Sequence, residues 1–488
     1  MIDRNSRRFW EDIVRLTNAS PLECVRSLRM VLFIWLQANA DNPLSRQVRH
    51  LSSAIRPMFP MRQAAIPRAK RGKLVFCFAH KTPANMHNLL PVAREADRRG
   101  VLGGIVSAWN FDEELAEFSG RIPIVTVRSL ISQLSVVQRH KIGVESLRTF
   151  REIFEMLSAY DAHLARRLFR NAGTVLDETV RSLQLGVAFR TLLEAWSPSC
   201  VVSTSDLWPL EYQFAYQASS LRVPSVVIQH GISDDSWWPF QADLFLAWGD
   251  IFREKMTDLG VPPNRMAIGG MPASDQVFQR QRALDLSGGR EAAVQDPPVC
   301  LILSHSQGRV VEPDIFNRFK ELLSQTIQLT PNVRWKVKLH PSEEDLFYRE
   351  LDDKIFERLE IYPKSTSLVE AVEGADVVTT LFSASGLEAM MMGRPVIVPV
   401  FSSRGKELAW WPDLGGGVYA RNAEEFRQHL VNLLSVPQNR LRQLESQRGF
   451  LKRSFANPGH AGEAIVDLLS DAALLENAQG VLSGGAAV

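Results

Sequence analysis

The chain alternates short β-rich runs with longer segments of helical spacing, and it does so in two separate series. In the first series the strand-like runs are Leu74 to Ala79, Gly104 to Ala108, Ile124 to Val127, Cys200 to Thr204, Ser225 to Gln229 and Leu244 to Ala247. In the second they are Val299 to Ser304, Trp335 to His340, Asp376 to Thr380 and Pro395 to Val400. Such alternation is typical of parallel sheets covered by helices. We therefore predict two Rossmann-like α/β domains whose strand carboxyl ends face a cleft, where ligands of such folds bind.

Changes in composition give the domain boundaries. A long helical tract at about 143–196 has almost no breaker and predicts a helical insertion in the first domain. Residues 283–298 contain Gly-Gly and Pro-Pro but few residues that could pack, a composition typical of an interdomain linker. The predicted parts are a basic helical N-terminal arm (1–73), an acceptor-side domain (74–282), the linker (283–298), a nucleotide-binding domain (299–475) and a disordered tail (476–488).

Charge is distributed unevenly along the 488 residues. Residues 1–73 carry 14 Lys and Arg against 5 Asp and Glu, whereas the remainder carries 42 against 49. This local basic excess does not fit a nucleic-acid-binding protein, which would be basic throughout. The 4 cysteines lie too far apart for a CxxC metal site or a disulfide framework, so we expect a reducing, cytoplasmic location.

The arm contains a basic amphipathic helix that begins at Ser20-Pro21-Leu22-Glu23, a capping sequence with proline at the first helical position. Its apolar stripe consists of Cys24, Val25, Leu28, Val31, Leu32, Trp35 and Leu36. Two fates remain open for this stripe: packing on the protein itself, or contact with an anionic membrane surface. The second would place the protein peripherally on the inner membrane face. No apolar run approaches the roughly 18 residues of a membrane span.

The segment TTLFSASGLEAMMMGRPVIVPV, residues 379–400, predicts a buried strand, a small polar turn and a helix. Hydroxyls of Ser383 and Ser385, with Gly386 and the free N–H groups of the helix start, form an arrangement that binds phosphate. Glu388 in the first helical turn can accept hydrogen bonds from ribose hydroxyls. The same sequence is also compatible with an ordinary capped helix.

Two further loops reach the same predicted sheet edge. The strand Trp335 to Leu339 presents Lys338 and His340, with Pro341 forcing an extended exit. The loop after the first strand of this domain offers Ser304 and Ser306. We predict that the three loops converge on one anion site, although a histidine at a strand end can equally be structural.

In the first domain, His230 follows the strand VPSVVIQ and precedes Gly231, which leaves space for a ligand. An imidazole titrates near working pH, so His230 is the predicted general base. Asp206, at the end of the neighbouring strand, is the rival base, and it could instead cap a helix. The first loop, HKTPANMHNLLP, supplies His80, Lys81, Asn85 and His87 for holding an acceptor.

The sequence lacks the motifs of several enzyme classes. No HxxxH or HxH pair is found, so we predict no metal site, and neither GxGxxG nor a Walker A lysine motif occurs. We therefore predict no cofactor other than a nucleotide-sugar donor acting as substrate.

The motifs resemble those of GT-B glycosyltransferases. Residues 243–275 are similar to the end of the first domain in these enzymes and in UDP-N-acetylglucosamine 2-epimerases. KLHP, SASGLEA and GRPVIV resemble the nucleotide-binding half of bacterial capsule and lipopolysaccharide transferases, including those with CMP-activated Kdo or sialic acids. MHNLLPVAREADRRG is similar to the first loop and helix of that fold.

This resemblance implies residue roles and an activity. His340 matches the HP-motif histidine on the nucleotide phosphate, Ser383 and Ser385 match the serines beside it, and Glu388 matches the ribose-binding acid. His230 stands where teichoic-acid glycerophosphotransferases have a catalytic histidine. The acidic base element of bacterial sialyltransferases is not visible.

The implied activity is metal-independent transfer of a sugar from a CMP-, CDP- or UDP-linked donor to a glycan or lipid-linked acceptor in bacterial surface-polysaccharide biosynthesis. The alternatives are a CDP-glycerol-type phosphotransferase, an epimerase-like enzyme and a non-catalytic sugar-nucleotide binder.

Overall fold

The computed structural model describes residues 4–20, 23–29, 32, 66–69, 71–108, 113–232, 237–286, 294–305, 313–340, 343 and 345–476. The chain divides into two compact units. The first comprises Met1–Trp248, Phe252–Ala273 and Ala461–Val488, and the second comprises Gly249–Ile251 and Ser274–His460.

A seven-stranded parallel sheet forms the centre of the first unit. Its order is β3-β2-β1-β4-β5-β6-β7, so the direction of strand addition reverses between β1 and β4. The strands are β1 (Leu74–Phe78), β2 (Leu102–Ser107), β3 (Ile124–Thr126), β4 (Cys200–Ser203), β5 (Ser225–Ile228), β6 (Leu244–Ala247) and β7 (Met266–Ile268).

The helices as far as residue 258 are α1 (Arg4–Ala19), α2 (Glu23–Ser27), α3 (Pro83–Arg98), α4 (Val127–Ser132), α5 (Val136–Tyr160), α6 (Ala162–Arg170), α7 (Ala172–Trp196), α8 (Pro209–Ser220) and α9 (Asp250–Asp258). Both faces of the first sheet are buried. Successive β1 side chains enter opposite cores: Phe76 packs with residues of α3, and Cys77 packs with residues of α7 and α8.

The helical tract is longer than the sequence predicts. It begins at Val127 rather than near residue 143. It breaks at Asp161, whose side chain caps α6, and at Asn171, which lies between α6 and α7. Its last helix, α7, belongs to the connection between β3 and β4. The apolar face of α7 covers one face of the sheet and is part of the sheet core.

The N-terminal arm packs on this helical tract. Val25, Leu28 and Leu32 from the predicted stripe are buried in one cluster with Ile153 and Leu157 of α5. Val31, Trp35 and Leu36 of the stripe, and most of residues 30–65, lie outside the described part. Of the two fates open from the sequence, packing on the protein is the one found for these three side chains.

The second unit contains a six-stranded parallel sheet of order β10-β9-β8-β11-β12-β13, with its reversal between β8 and β11. The strands are β8 (Val299–Leu303), β9 (Arg334–Lys338), β10 (Leu359–Ile361), β11 (Val377–Thr379), β12 (Val396–Pro399) and β13 (Val418–Ala420). Its helices are α10 (Asp275–Leu286), α11 (Pro313–Leu329), α12 (Leu346–Arg349), α13 (Asp353–Phe356), α14 (Leu368–Glu373), α15 (Ser385–Met391), α16 (Ser403–Leu408), α17 (Ala423–Ser435) and α18 (Pro437–Ser454).

The last helix, α19 (Ala461–Ser470), belongs to the first unit, whereas the sequence places it in the second domain. Ile465, Val466 and Leu469 complete the core cluster on the α3 side of the first sheet, which explains the difference. Residues 287–293 of the predicted linker and 477–488 of the predicted tail lie outside the described residues.

Among the described residues, no helix combines the length and apolar character that crossing a membrane requires.

Gly104 of β2 lies against the indole ring of Trp196, and a Cβ at this position would overlap ring atoms. Gly104→Ala should therefore lower the free energy of unfolding by about 1 to 3 kcal/mol, the usual effect of overpacking. Gly143→Ala is the matched control, because its Cβ would meet open space on α5 and should raise helix stability by up to about 1 kcal/mol. Chemical denaturation measures both. Equal effects of the two substitutions would contradict this account of the core.

Candidate functional site

Three loops of the second unit meet at the carboxyl edge of its sheet. His305 follows β8, His340 follows β9 and Phe382 follows β11. The His305 ring lies 4.4 Å from the Phe382 ring and 6.2 Å from the His340 ring, which is nearly parallel to it. The loops therefore converge at the point where strand addition reverses, a position at which parallel α/β sheets bind ligands.

His340 and Lys338 contribute the basic character of this edge. Burial, followed by the charge of Lys338, holds the pKa of His340 below its ordinary value, and burial also lowers the pKa of Lys338. Within the described part of the chain, the Lys338 ammonium donates one hydrogen bond, to the carbonyl of Leu339 at 3.4 Å. Binding an anion would favour the charged forms that burial disfavours.

Ser304 is held by residues that the sequence did not single out. The Tyr348 hydroxyl donates to Ser304 Oγ at 2.8 Å, and both side chains are buried. The buried Glu343 carboxylate accepts the backbone N–H of His340 at 3.2 Å, and burial raises the pKa of Glu343. Glu343 and Tyr348 thus fix the loops in place. The predicted Ser306 lies outside the described residues.

The serines of the SASG turn face each other. The hydroxyls of Ser383 and Ser385 are 2.9 Å apart, and the Ser385 backbone N–H donates to Ser383 Oγ at 3.2 Å. Gly386 is required by packing, because a Cβ there would lie 2.9 Å from Cγ2 of Thr380. Close packing of the helix start on β11 keeps both serines at the sheet edge.

Glu388 is partly buried in the first turn of α15, and none of the described residues donates a hydrogen bond to its carboxylate. Burial raises the pKa of Glu388 to about 7. Hydroxyl groups of a ligand could therefore donate hydrogen bonds to this partly buried carboxylate and would favour its ionised form.

A second cluster occupies the carboxyl edge of the first sheet, where β1, β4 and β5 end side by side. His80 follows β1, Thr204 follows β4 and His230 follows β5. Thr204 links two of the loops: its carbonyl lies 2.6 Å from His230 Nδ1, and its hydroxyl donates to Asn85.

His230 is partly buried, between the Thr204 carbonyl and the Trp237 ring. Burial, with the charge of His80 adding to it, lowers the pKa of His230 to about 4, although the hydrogen bond to Thr204 opposes this shift. The expectation of a pKa near neutrality is therefore not met. At neutral pH the ring is neutral, with Nδ1–H donating to the Thr204 carbonyl and the Nε2 lone pair left to accept a proton or hydrogen bond. The Trp237 ring packs 4.7 Å away.

Asp206 is buried, with 2% of its surface accessible. One of its oxygens accepts the backbone N–H groups of Gln241 and Ala242, the latter at 2.6 Å. Burial raises the pKa of Asp206 to about 6 despite these bonds and the nearby charge of Arg265. The carboxylate thus fastens the segment that leads into β6, and it does not cap a helix.

Glu211 is a residue that sequence reasoning missed. Its buried carboxylate lies 2.8 Å from Nε2 of His80, whose ring also meets the edge of Trp208. Burial lowers the pKa of His80, but the charge and hydrogen bond of Glu211 outweigh burial and raise it above its ordinary value. In the sequence Glu211 looks like an acid placed to stabilise a helix start, so nothing marked it as a partner of His80.

We predict that Glu211→Gln lowers the pKa of His80, because the neutral amide cannot stabilise the imidazolium. NMR titration of histidine-labelled protein gives the midpoint, with His80→Gln assigning the signal. Glu114→Gln is the control, since Glu114 pairs with the adjacent Lys81 on the surface at 3.2 Å. An unchanged midpoint in Glu211→Gln would contradict the ion pair.

No protein-family model matches the chain, and no curated protein matches it. Solved structures do. UDP-GlcNAc 2-epimerase from Neisseria meningitidis, solved with UDP-GlcNAc, has a TM-score of 0.51 and 13% identity, covering 82% of this chain and 99% of that one. The UDP-GlcNAc 2-epimerase from Methanocaldococcus jannaschii has 14% identity and a TM-score of 0.49 over 82% and 99% of the chains. Anabaena HepE with UDP and glucose has 12% identity and a TM-score of 0.48 over 82% and 100%.

At these identities the likeness concerns the fold alone. The chain has the two-unit α/β fold with parallel sheets that GT-B-like enzymes share.

Proposed function

We propose that the protein is a metal-independent glycosyltransferase that moves a sugar from a nucleotide donor to a glycan or lipid-linked acceptor in bacterial surface-polysaccharide biosynthesis. One observation carries this proposal: the partly buried Glu388, to which none of the described residues donates, lies in the helix that starts at the paired Ser383 and Ser385. A nucleotide offers hydroxyl donors and phosphate acceptors in one molecule. The fold neighbour from Neisseria, solved with UDP-GlcNAc, supports the same class of ligand.

In the second unit, Ser383 and Ser385 donate to the phosphates while Glu388 accepts from the ribose. Lys338 adds positive charge and His340 donates a hydrogen bond to the phosphates, and a bound anion favours the protonated forms of both groups, which burial alone disfavours. Ionised Glu388 binds hydroxyl donors best. Since its pKa is about 7, the contribution of Glu388 to binding increases as the pH rises towards 7 and is lost as the pH falls.

In the first unit, His230 is the proposed base. Its neutral Nε2 takes the proton of the acceptor hydroxyl while the oxygen forms a bond to the anomeric carbon. The bond from that carbon to the phosphate oxygen breaks, and the nucleotide leaves with the electron pair. The low pKa of His230 keeps the ring deprotonated but makes it a weak base. Asp206 is less suited to this role because its oxygen already accepts two backbone N–H groups.

A sugar-nucleotide epimerase is the second candidate, and the observation in its favour is the epimerase fold of the neighbours. Incubation with CMP-, CDP-, UDP- and GDP-sugars separates the two. A transferase releases nucleotide only with a suitable acceptor, whereas an epimerase yields a new sugar nucleotide and needs no acceptor. Release of CMP from CDP-glycerol would instead indicate a glycerophosphotransferase.

A cytoplasmic location and membrane contact through the N-terminal arm remain part of this proposal. The basic excess of residues 1–73 supports lipid contact, but Val25, Leu28 and Leu32 are buried against α5 and cannot supply its apolar part.

His340→Ala and Ser385→Ala should each weaken binding of the donor nucleotide by about 1 to 3 kcal/mol, the range for losing a hydrogen bond to a charged group. Titration calorimetry with the nucleotide found in the panel measures this change. His429→Ala and Ser403→Ala are matched controls from α17 and α16 of the same unit. If the site variants bind like the controls, the nucleotide does not occupy this edge.

His230→Ala should lower kcat by about 100-fold or more while donor binding survives, because the variant lacks the proton acceptor. Steady-state kinetics and nucleotide titration test the two parts separately. Near-normal turnover in His230→Ala, with collapse in Asp206→Asn, would assign the base to the aspartate. Loss of donor binding in His230→Ala would make the histidine a ligand contact.

A further inference from the structure

The outer face of the long helix α5 exposes four large apolar side chains in the first unit. Val136 and Val137 are 83% and 63% accessible, Val144 is 40% accessible and Leu147 is 61% accessible. Side chains seven residues apart lie on the same line of a helix, as Val137 and Val144 do. The exposed apolar positions thus form a stripe on one face.

Basic side chains occupy the remaining exposed positions of that face. His140, Lys141, Arg148 and Arg151 are all exposed, and Arg148 and Arg151 have 69% and 80% of their side chains accessible. Two acids accompany these cations: Glu145 is only partly exposed and lies 3.8 Å from Arg148, and the exposed Glu155, one turn beyond residue 151, lies 2.8 Å from Arg151. Cations thus outnumber acids among the exposed residues of this face, and the apolar stripe runs through them over about 22 Å, at about 1.5 Å per residue.

The surface continues onto α6. Phe169 is 66% accessible, and its ring lies 5.8 Å from that of Phe154, which is seven residues beyond Leu147 on α5. Arg166 and Arg170 are exposed on the same short helix. Apolar and basic groups are therefore interleaved on both helices.

The opposite face of α5 is already occupied. Ile153 and Leu157 pack against Val25 and Leu28 of the N-terminal arm. Among the described residues the outer face has no such cover, since its apolar side chains remain largely accessible.

We propose that the outer face of α5, with the adjoining part of α6, binds an anionic lipid surface. Exposed valine, leucine and phenylalanine side chains enter the boundary between headgroups and acyl chains, while lysine and arginine pair with lipid phosphates. A nucleic acid would use the cations but leave the apolar side chains in water. The proposal does not depend on the proposed activity, because none of these residues belongs to the candidate site.

Flotation of the full chain with vesicles of equal phosphatidylglycerol and phosphatidylcholine tests this proposal, with pure phosphatidylcholine vesicles alongside. The charge variant combines Lys141→Gln, Arg148→Gln and Arg151→Gln. Each cation near an anionic surface contributes about a fivefold factor, so we expect roughly a 100-fold loss of partitioning. The control combines Arg98→Gln, Arg121→Gln and Arg190→Gln, three exposed cations of the same unit.

The apolar variant combines Val144→Gln and Leu147→Gln, and its control combines Val431→Gln and Leu441→Gln, which are 39% and 43% exposed elsewhere. We expect the wild type and both controls to float with anionic vesicles at low salt, and the two face variants to stay in solution. Equal flotation of face variants and controls, or no flotation of the wild type, would overturn the proposal. A change of oligomeric state in the face variants without lipid would assign the face to self-association and would overturn it equally.

Discussion

Parallel strand pairing is the constraint on which the rest of the structure depends. Because all strands of a parallel sheet point one way, their carboxyl ends collect at one edge, and the order of strand addition opens a gap at the reversal point. In the first unit this brings His80, Thr204 and His230 together, and in the second it brings together His305, His340 and Phe382. None of these groups is close to its partners in the sequence. The polar side chains at each edge are neighbours only because the sheets are parallel.

At the edge formed by the amino ends of the strands, a buried aspartate links two neighbouring strands in each sheet. Asp243 accepts the backbone N–H of Ser225 at 2.8 Å, and Asp376 accepts that of Val299 at the same distance. Each aspartate precedes a strand and binds the first residue of a neighbouring strand, so it satisfies a donor at the start of the ladder. These acids stabilise the ladder, whereas no residue in the described part of the chain donates to Glu388 at the carboxyl edge. Asp243 and Asp376 therefore stabilise the fold, whereas Glu388 is suited to binding a ligand.

Much of the architecture follows from sequence pattern, and the exceptions have physical reasons. The ten predicted strands agree with observed strands to within a residue or two, because buried parallel strands are continuous apolar runs. β7, β10 and β13 were missed: each is a three-residue strand at a sheet edge and is only partly buried, so it lacks the continuous buried apolar run of a central strand. The sequence also located the three loops of the second unit, since polar residues after buried strands mark a sheet edge. It did not show the partnership of Glu211 with His80 or the low pKa of His230, because both depend on burial between distant segments.

The return of α19 to the first unit has a consequence for biosynthesis. Gly269 leaves room for Ile465, whose side chain would be 2.5 Å from a Cβ at that position, and the neighbouring Val466 and Leu469 close the core over α3. The ribosome makes these residues only after the whole second unit has been translated. Until α19 has been made, the apolar surface on the α3 side of the first sheet lacks its cover. The growing polypeptide therefore exposes this apolar surface while almost two hundred residues, between Gly269 and Ile465, are translated. Chaperones that bind exposed apolar surface would encounter the chain during that interval.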